Sequence, residues 1–202
     1  MKHSIKLIAL ITAMFLTGIV LAQDYMNLSE IKSKLPVREM RRTAITGNAG
    51  WNGLSGFGIT VNQFISKNFE VDAGVGLAAT GIKVGARMNY IFLDKKFSPI
   101  ATAGFMYGFG SNGQSLEYNG EFGTFTYTIS GSPFLQVAFG IEYVAKGGFM
   151  IKALTGYAFL TIQKNYNIVY GIPTNDELSA LDIALGSGIV MEVSIGYAFG
   201  NK

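Results

Sequence analysis

Cysteine is missing from all 202 residues, and histidine occurs once. Without Cys there is no disulfide framework, no zinc–thiolate site and no lipid-modified N-terminal cysteine. Proline is scarce, with 4 residues. Charge is scarce too: 14% of residues, where soluble domains carry about 25%. That composition argues against an ordinary cytosolic enzyme. Beyond the N-terminus no apolar run approaches the roughly 18 residues of a spanning helix. What the chain does have is 26 Gly, 49% hydrophobic residues and 13% aromatics. The aromatic content excludes intrinsic disorder, and the length fits one all-β barrel.

The first 22 residues read as an address. Lys2, His3 and Lys6 form a basic start, and an apolar run from Leu7 to Leu21 follows. Val20-Leu21-Ala22 then predicts cleavage after Ala22 by the secretory machinery. The run is short for a membrane anchor. Cleavage would lower Lys+Arg from 16 to 14 against 13 Asp+Glu, a net charge of +1. No basic stripe remains for a nucleic acid. The single histidine would leave with the signal. The mature chain would then lack Ser-His and Cys-His catalysis, histidine acid–base chemistry and histidine-ligated zinc. Residues 23–40 read as a short polar periplasmic arm. Asn27 or Ser29 would cap a helix running through Leu35, with Pro36 stopping it.

From Arg41 onward the apolar residues alternate with a period of two. Ile189, Met191, Val193, Ile195, Tyr197 and Phe199 share one face; Val190, Glu192, Ser194, Gly196 and Ala198 share the other. Only a strand separates two such sets. The pattern recurs and predicts eight strands, at about 41–50, 54–64, 69–79, 81–92, 97–110, 133–145, 149–162 and 187–199. The expected fold is an all-β, eight-stranded antiparallel transmembrane barrel, with domains 1–22 (signal), 23–40 (arm) and 41–202 (barrel). Phe64–Asn68, Leu93–Lys96 and Lys146–Gly148 are short turns. At the opposite end two long loops span about 111–132 and 163–186, an asymmetry expected of outer-membrane barrels. Asp176–Leu185 predicts a helical turn, Glu121–Ser130 a hairpin prolonging the wall, and Gln114–Gly120 a loop. Pairing Ala79 with Ile82 would set Asp72 opposite Asn89 and Gly74 opposite Arg87, with Asp72 diagonal to Arg87. Pairing Phe92 with Phe97 would set Arg87 opposite Thr102.

The less apolar face is Gly, Ala, Thr, Ser and Asn with isolated charges. It suits a narrow lumen better than an aqueous exterior. The apolar face must then meet lipid, where every backbone group has to be paired internally and the sheet must close. Tyr90, Phe92, Phe97, Tyr143, Phe149, Tyr197 and Phe199, with Phe69, form a lipid-facing girdle near the short turns. Trp51, Phe57, Tyr107, Phe109, Tyr157 and Phe159 form a second toward the loops. The inward parity puts Glu70, Asp72, Lys83, Arg87, Glu142, Lys152 and Glu192 inside as ion pairs, with Arg42 as a fourth base. Glu142 is expected to face Lys152.

With its signal, eight alternating segments, Gly-rich inner faces and closing Ile195-Gly-Tyr-Ala-Phe199, the chain resembles the outer membrane protein beta-barrel domain family, of the outer membrane protein A or X transmembrane type. The resemblance covers roughly 41–202. Gly200-Asn201-Lys202 follow the terminal aromatic that many such proteins end on. It implies outer-membrane localisation in a Gram-negative bacterium, contact with membrane lipid and insertion by the barrel-assembly machinery. The expected role is structural, or surface interaction through 111–132 and 163–186, with a plugged, salt-bridged lumen. The alternative is a narrow porin-like channel for small solutes. No cofactor, metal, nucleic acid or enzymatic activity is expected. Glu70 and Asp72 have a spacing of roughly 7 Å along a strand face, compatible with glycosidase chemistry, but a sealed lumen offers no sugar cleft. Gly108-Phe-Gly110-Ser-Asn-Gly113 matches a dinucleotide fingerprint, yet no helix is expected after it. A lipid A-modifying enzyme of the histidine-dependent kind does not fit a mature chain without His, and a soluble lipocalin-like binder would need a charged exterior.

Overall fold

The structure is a computed structural model, and it describes residues 36–120 and 123–200. The predicted signal, its cleavage site and most of the arm lie outside them. Eight strands close into an antiparallel barrel: β1 (Thr43–Trp51), β2 (Phe57–Phe64), β3 (Phe69–Ala78), β4 (Gly81–Ile91), β5 (Phe97–Gly108), β8 (Ser132–Val144), β9 (Phe149–Leu160) and β11 (Gly188–Phe199). Each pairs with its neighbours in chain order, and β1 closes on β11 from Thr43↔Phe199 to Trp51↔Met191. Closure gives every strand of the wall two neighbours and leaves no edge strand in it.

The period-two pattern sets the two faces. Val75, Leu77, Ile82, Met88, Phe105, Leu135, Phe139, Ile189 and Val193 stand exposed on the outside. Glu70, Asp72, Arg87, Asn89, Thr102, Gln136 and Ser194 are buried inside. Tyr90, Phe92, Phe97, Phe149, Tyr197 and Phe199 are exposed on the outer wall near the short turns, while Tyr143 is half-buried. Edge-to-face contacts join Phe69 to Tyr90, Tyr90 to Phe92 and Tyr197 to Phe199, at 5.0–5.2 Å between centroids. Toward the loops, Tyr107 meets Phe109 edge-to-face and Tyr157 meets Phe159 at a tilt.

The register is offset by two residues from the sequence expectation at two seams, which preserves the faces. Ala78 pairs with Gly81, so Asp72 stands opposite Arg87 and Gly74 opposite Gly85. The turn is the two-residue Ala79–Thr80, with Gly81 at φ +82°. At the next seam Ile91 pairs with Ile100 and Arg87 with Gly104. There Ser98 Oγ accepts the Leu93 N–H at 2.9 Å, which lengthens the turn, and Phe97 and Ser98 pair only with β8.

The long loops do not prolong the wall. β6 (Leu116–Gly120), β7 (Gly123–Ile129) and β10 (Tyr166–Tyr170) form a separate sheet in the order β10-β7-β6. The stretch expected to be loop at Gln114–Gly120 therefore supplies a strand. Its sheet buries Phe125, Ile129 and Tyr166 against Leu181 and Leu185 of helix α2 (Asn175–Leu185). Thr174 caps that helix: its Oγ accepts the Glu177 N–H, and the Glu177 carboxylate accepts the Thr174 N–H, a capping box. The glycine-rich run at 108–113 ends in a turn with Gly110, Asn112 and Gly113 at positive φ, and no helix follows it. Pro36 is the N-cap of a helical turn, α1 (Val37–Met40); the helix expected to end at Leu35 lies outside the described residues.

Candidate functional site

The candidate site is the barrel interior, which is layered. Nearest the short turns Phe64, Ile91, Ile100, Val144 and Met150 pack together with Val37 of α1. Nearest the loops Leu54, Met106, Phe134, Ala158 and Val190 form a second apolar layer. Between the two layers lie the charges.

Arg87 is the hub. Its Nε donates to Asp72 Oδ2 at 2.8 Å, and Nη2 and Nη1 donate to the two oxygens of Glu192 at 2.8 and 3.1 Å. Lys152 Nζ lies 2.9 Å from Glu70, 3.0 Å from Asp72 and 3.6 Å from Glu142. Arg38 Nε donates to Glu142 Oε1 at 2.8 Å, and its Nη1 donates to the Lys95 carbonyl at 2.6 Å. At the far end Glu192 Oε2 also accepts the Leu54 N–H at 2.7 Å. A continuous chain of ions thus runs from α1 to the β1–β2 loop. Neutral groups finish it: Asn62 donates to Asp72 at 2.7 Å and Asn89 to Glu70 at 3.0 Å. Asn48 donates to Thr60 and to Ser55. A buried ion unpaired in this setting is costly, and charge-assisted bonds of this geometry are what offset its desolvation.

Three placements differ from the sequence reading. Arg42 is exposed and precedes β1, so it does not enter the lumen. Arg38, almost wholly buried, enters instead, because α1 turns the chain back into the barrel end. Lys83 faces inward, but no carboxylate among the described residues lies within ion-pair distance of it. Its Nζ sits 5.2 Å over the Phe134 ring. It stands opposite Gly76 and Gly108, beside the loop-side apolar layer and at the Glu192 end of the ion chain, without an ion pair to it.

The β1–β2 connection also departs from the strand expected at 54–64. Residues 52–56 dip into the barrel, and Leu54 and Ser55 are fully buried. Room comes from the inner glycines of β3 and β4. A Cβ on Gly85 would lie 2.8 Å from Leu54 Cδ1, and one on Gly76 2.5 Å from the Ser55 carbonyl. The sequence signal for this plug was the Gly74/Gly76/Gly85 set on one inward patch, a trough that only another segment fills. The signal for Arg38 was Pro36, whose fixed φ favours the first turn of a helix.

In chemical terms the interior binds its own charges. All four lumenal carboxylates, Glu70, Asp72, Glu142 and Glu192, are engaged by cations of the same chain. Compared with models of known protein families and with curated proteins, the chain matches none.

Proposed function

We propose that this protein is a non-enzymatic integral barrel of a Gram-negative outer membrane, of the outer membrane protein A or X transmembrane type. It would be secreted through a cleaved signal and inserted by the barrel-assembly machinery. One observation carries the reading: a closed eight-stranded wall with its large apolar side chains outside and its ion pairs within. In water that outer surface is an apolar patch far larger than monomeric soluble proteins expose. In a bilayer it is the expected surface, and the closed hydrogen-bond ladder suits hydrocarbon.

The two apolar layers and the ion chain between them support a plugged lumen and a structural role. The cap of β6, β7, β10 and α2, built from 111–132 and 163–186, supports surface interaction. The same layers weigh against the alternative of a narrow porin-like channel for small solutes. Carboxylates already tied to cations weigh against acid–base catalysis. Among the described residues no basic stripe on the outer wall supports a nucleic-acid partner.

The test is heat-modifiability after detergent extraction, with a carbonate wash of membranes. Different mobilities before and after boiling, with retention in the washed membrane, are expected. Identical bands, or release by carbonate, would overturn the assignment. Planar-bilayer recording separates the two lumen readings: a silent protein removes the channel, and steady unitary conductance removes the plug.

A further inference from the structure

The wall is not paired along its full height. β1 bonds to β2 only from Thr43↔Gln63 to Asn48↔Gly58, whereas Gly50 and Trp51 continue on the β11 side alone. Above Asn48 the chain leaves β2, and past Trp51 it dives inward as the Leu54 plug. At this seam lies a cavity of about 270 Å³, and its lining mixes side chains of both faces. Lys83 and Thr80 come from within; Trp51, Phe57 and Leu77 come from the outer wall, where they are 48%, 69% and 63% exposed. Ala184 of α2 borders it from the cap.

Two polar groups in this cavity lack directional partners. Lys83 is 1% exposed; its ammonium lies against the Phe134 ring and within electrostatic reach of Glu192, but no hydrogen bond or ion pair engages it among the described residues. The buried Thr80 hydroxyl has no hydrogen-bond partner among the described residues. Every other lumenal cation is bonded to carboxylates. A buried ammonium and a buried hydroxyl, both donors, at the inner end of an opening whose outer lip is aromatic and aliphatic, ask for one kind of guest. It carries a single negative charge with two acceptor oxygens, on an apolar stem.

We propose that this notch binds one fatty-acid anion. Its carboxylate meets Lys83 Nζ and the Thr80 hydroxyl, and its chain passes between Trp51, Phe57 and Leu77 onto the outer wall. The cavity of about 270 Å³ accommodates a carboxyl group and its first carbons. One lysine matches one charge better than it matches a doubly ionised phosphate monoester. The chain's path rests on the reading of the outer wall as lipid-facing. The head-group site does not.

Trp51 is the only tryptophan in the sequence, so its fluorescence reads the lip directly. The experiment uses the folded full chain in a non-ionic detergent and a terminally brominated dodecanoate as quencher. Saturable quenching is expected, reversed by laurate and not by dodecanol. Lys83→Met is expected to weaken it about tenfold or more, the scale of one lost charge-assisted hydrogen bond. Ala79→Phe, which fills the cavity from an exposed turn residue, is expected to abolish saturation while leaving Lys83 in place. Heat-modifiability of each variant certifies its fold. Equal competition by laurate and dodecanol, or wild-type quenching in folded Lys83→Met, overturns the proposal. Tighter competition by dodecyl phosphate than by laurate overturns the carboxylate assignment. A heat-modifiable, membrane-retained protein without saturable quenching defeats this inference alone. A chain failing those membrane tests defeats the outer-membrane reading.

Discussion

Arg87 and Glu192 are 105 residues apart in sequence and form a two-point ion pair across the lumen, at 2.8 and 3.1 Å. The pair does more than neutralise charge. Glu192 holds the Leu54 N–H, and Arg87 holds Asp72. The plug loop, β4, β3 and β11 are therefore tied at one point. This bond ties the charges between the two apolar layers to the plug loop.

Removing one partner strands the other. Arg87→Met leaves Glu192 short of its main cation and Asp72 with Lys152 alone, and breaking a buried pair of this kind costs about 3–5 kcal/mol. Urea unfolding of the detergent-folded protein measures it. Adding Glu192→Gln to Arg87→Met is expected to recover part of the loss. Full additivity of the two single changes would show that they are not coupled.

Arg38 is the anchor of α1. Arg38→Ala removes bonds to Glu142 and to the Lys95 carbonyl, and Glu142 keeps only the longer Lys152 contact of 3.6 Å. Lower stability and faster proteolysis around residues 36–42 are expected. Arg42→Ala, at an exposed position, is expected to change neither. Equal effects from the two changes would contradict the assignment of Arg38 as the lumenal base.

The outer wall distinguishes lipid from water. Val193 is exposed near the middle of β11. In a membrane barrel, Val193→Arg at the bilayer midplane should cost about 2–4 kcal/mol. The loss should be read as reduced folding into vesicles. Ala79→Arg, in a turn at the rim, should cost little. A vesicle-refolding yield unaffected by Val193→Arg would argue for an aqueous exterior.

In the cap, burial and a 2.7 Å hydrogen bond from the Tyr166 hydroxyl to Asp182 push the phenol up to about 12. The folded state favours the neutral phenol, so this contribution is whole below the unfolded value near 10. It is lost as pH rises through about 12. The cap should therefore loosen between those limits, seen as faster proteolysis within 111–132 and 163–186. Tyr166→Phe should remove the alkaline step while leaving the barrel heat-modifiable.

Much of this was legible before any fold was drawn. The strand faces follow from alternation, which each segment carries by itself, and the observed strands deviate from the expected ones mostly at their ends. The inward set Glu70, Asp72, Arg87, Glu142, Lys152 and Glu192 came from the same parity. So did the facing of Glu142 and Lys152, which are paired partners across β8 and β9. The offset at Ala78↔Gly81 was not legible, because a two-residue shift leaves the face pattern unchanged. The role of Leu54 was hidden for a related reason. A loop that turns inward is specified by the space left by Gly74, Gly76 and Gly85, and those residues lie on other strands.

The amino-acid order alone thus determined the wall: which segments extend, which side chains look out, and that the ions must be enclosed. Alternation is a local property, enforced one residue at a time by the pleat. The tertiary structure decided who meets whom inside: Arg38 in place of Arg42, Lys83 outside the ion pairs, and Leu54 in the lumen. Those meetings depend on barrel closure and register, which bring together residues from opposite ends of the chain.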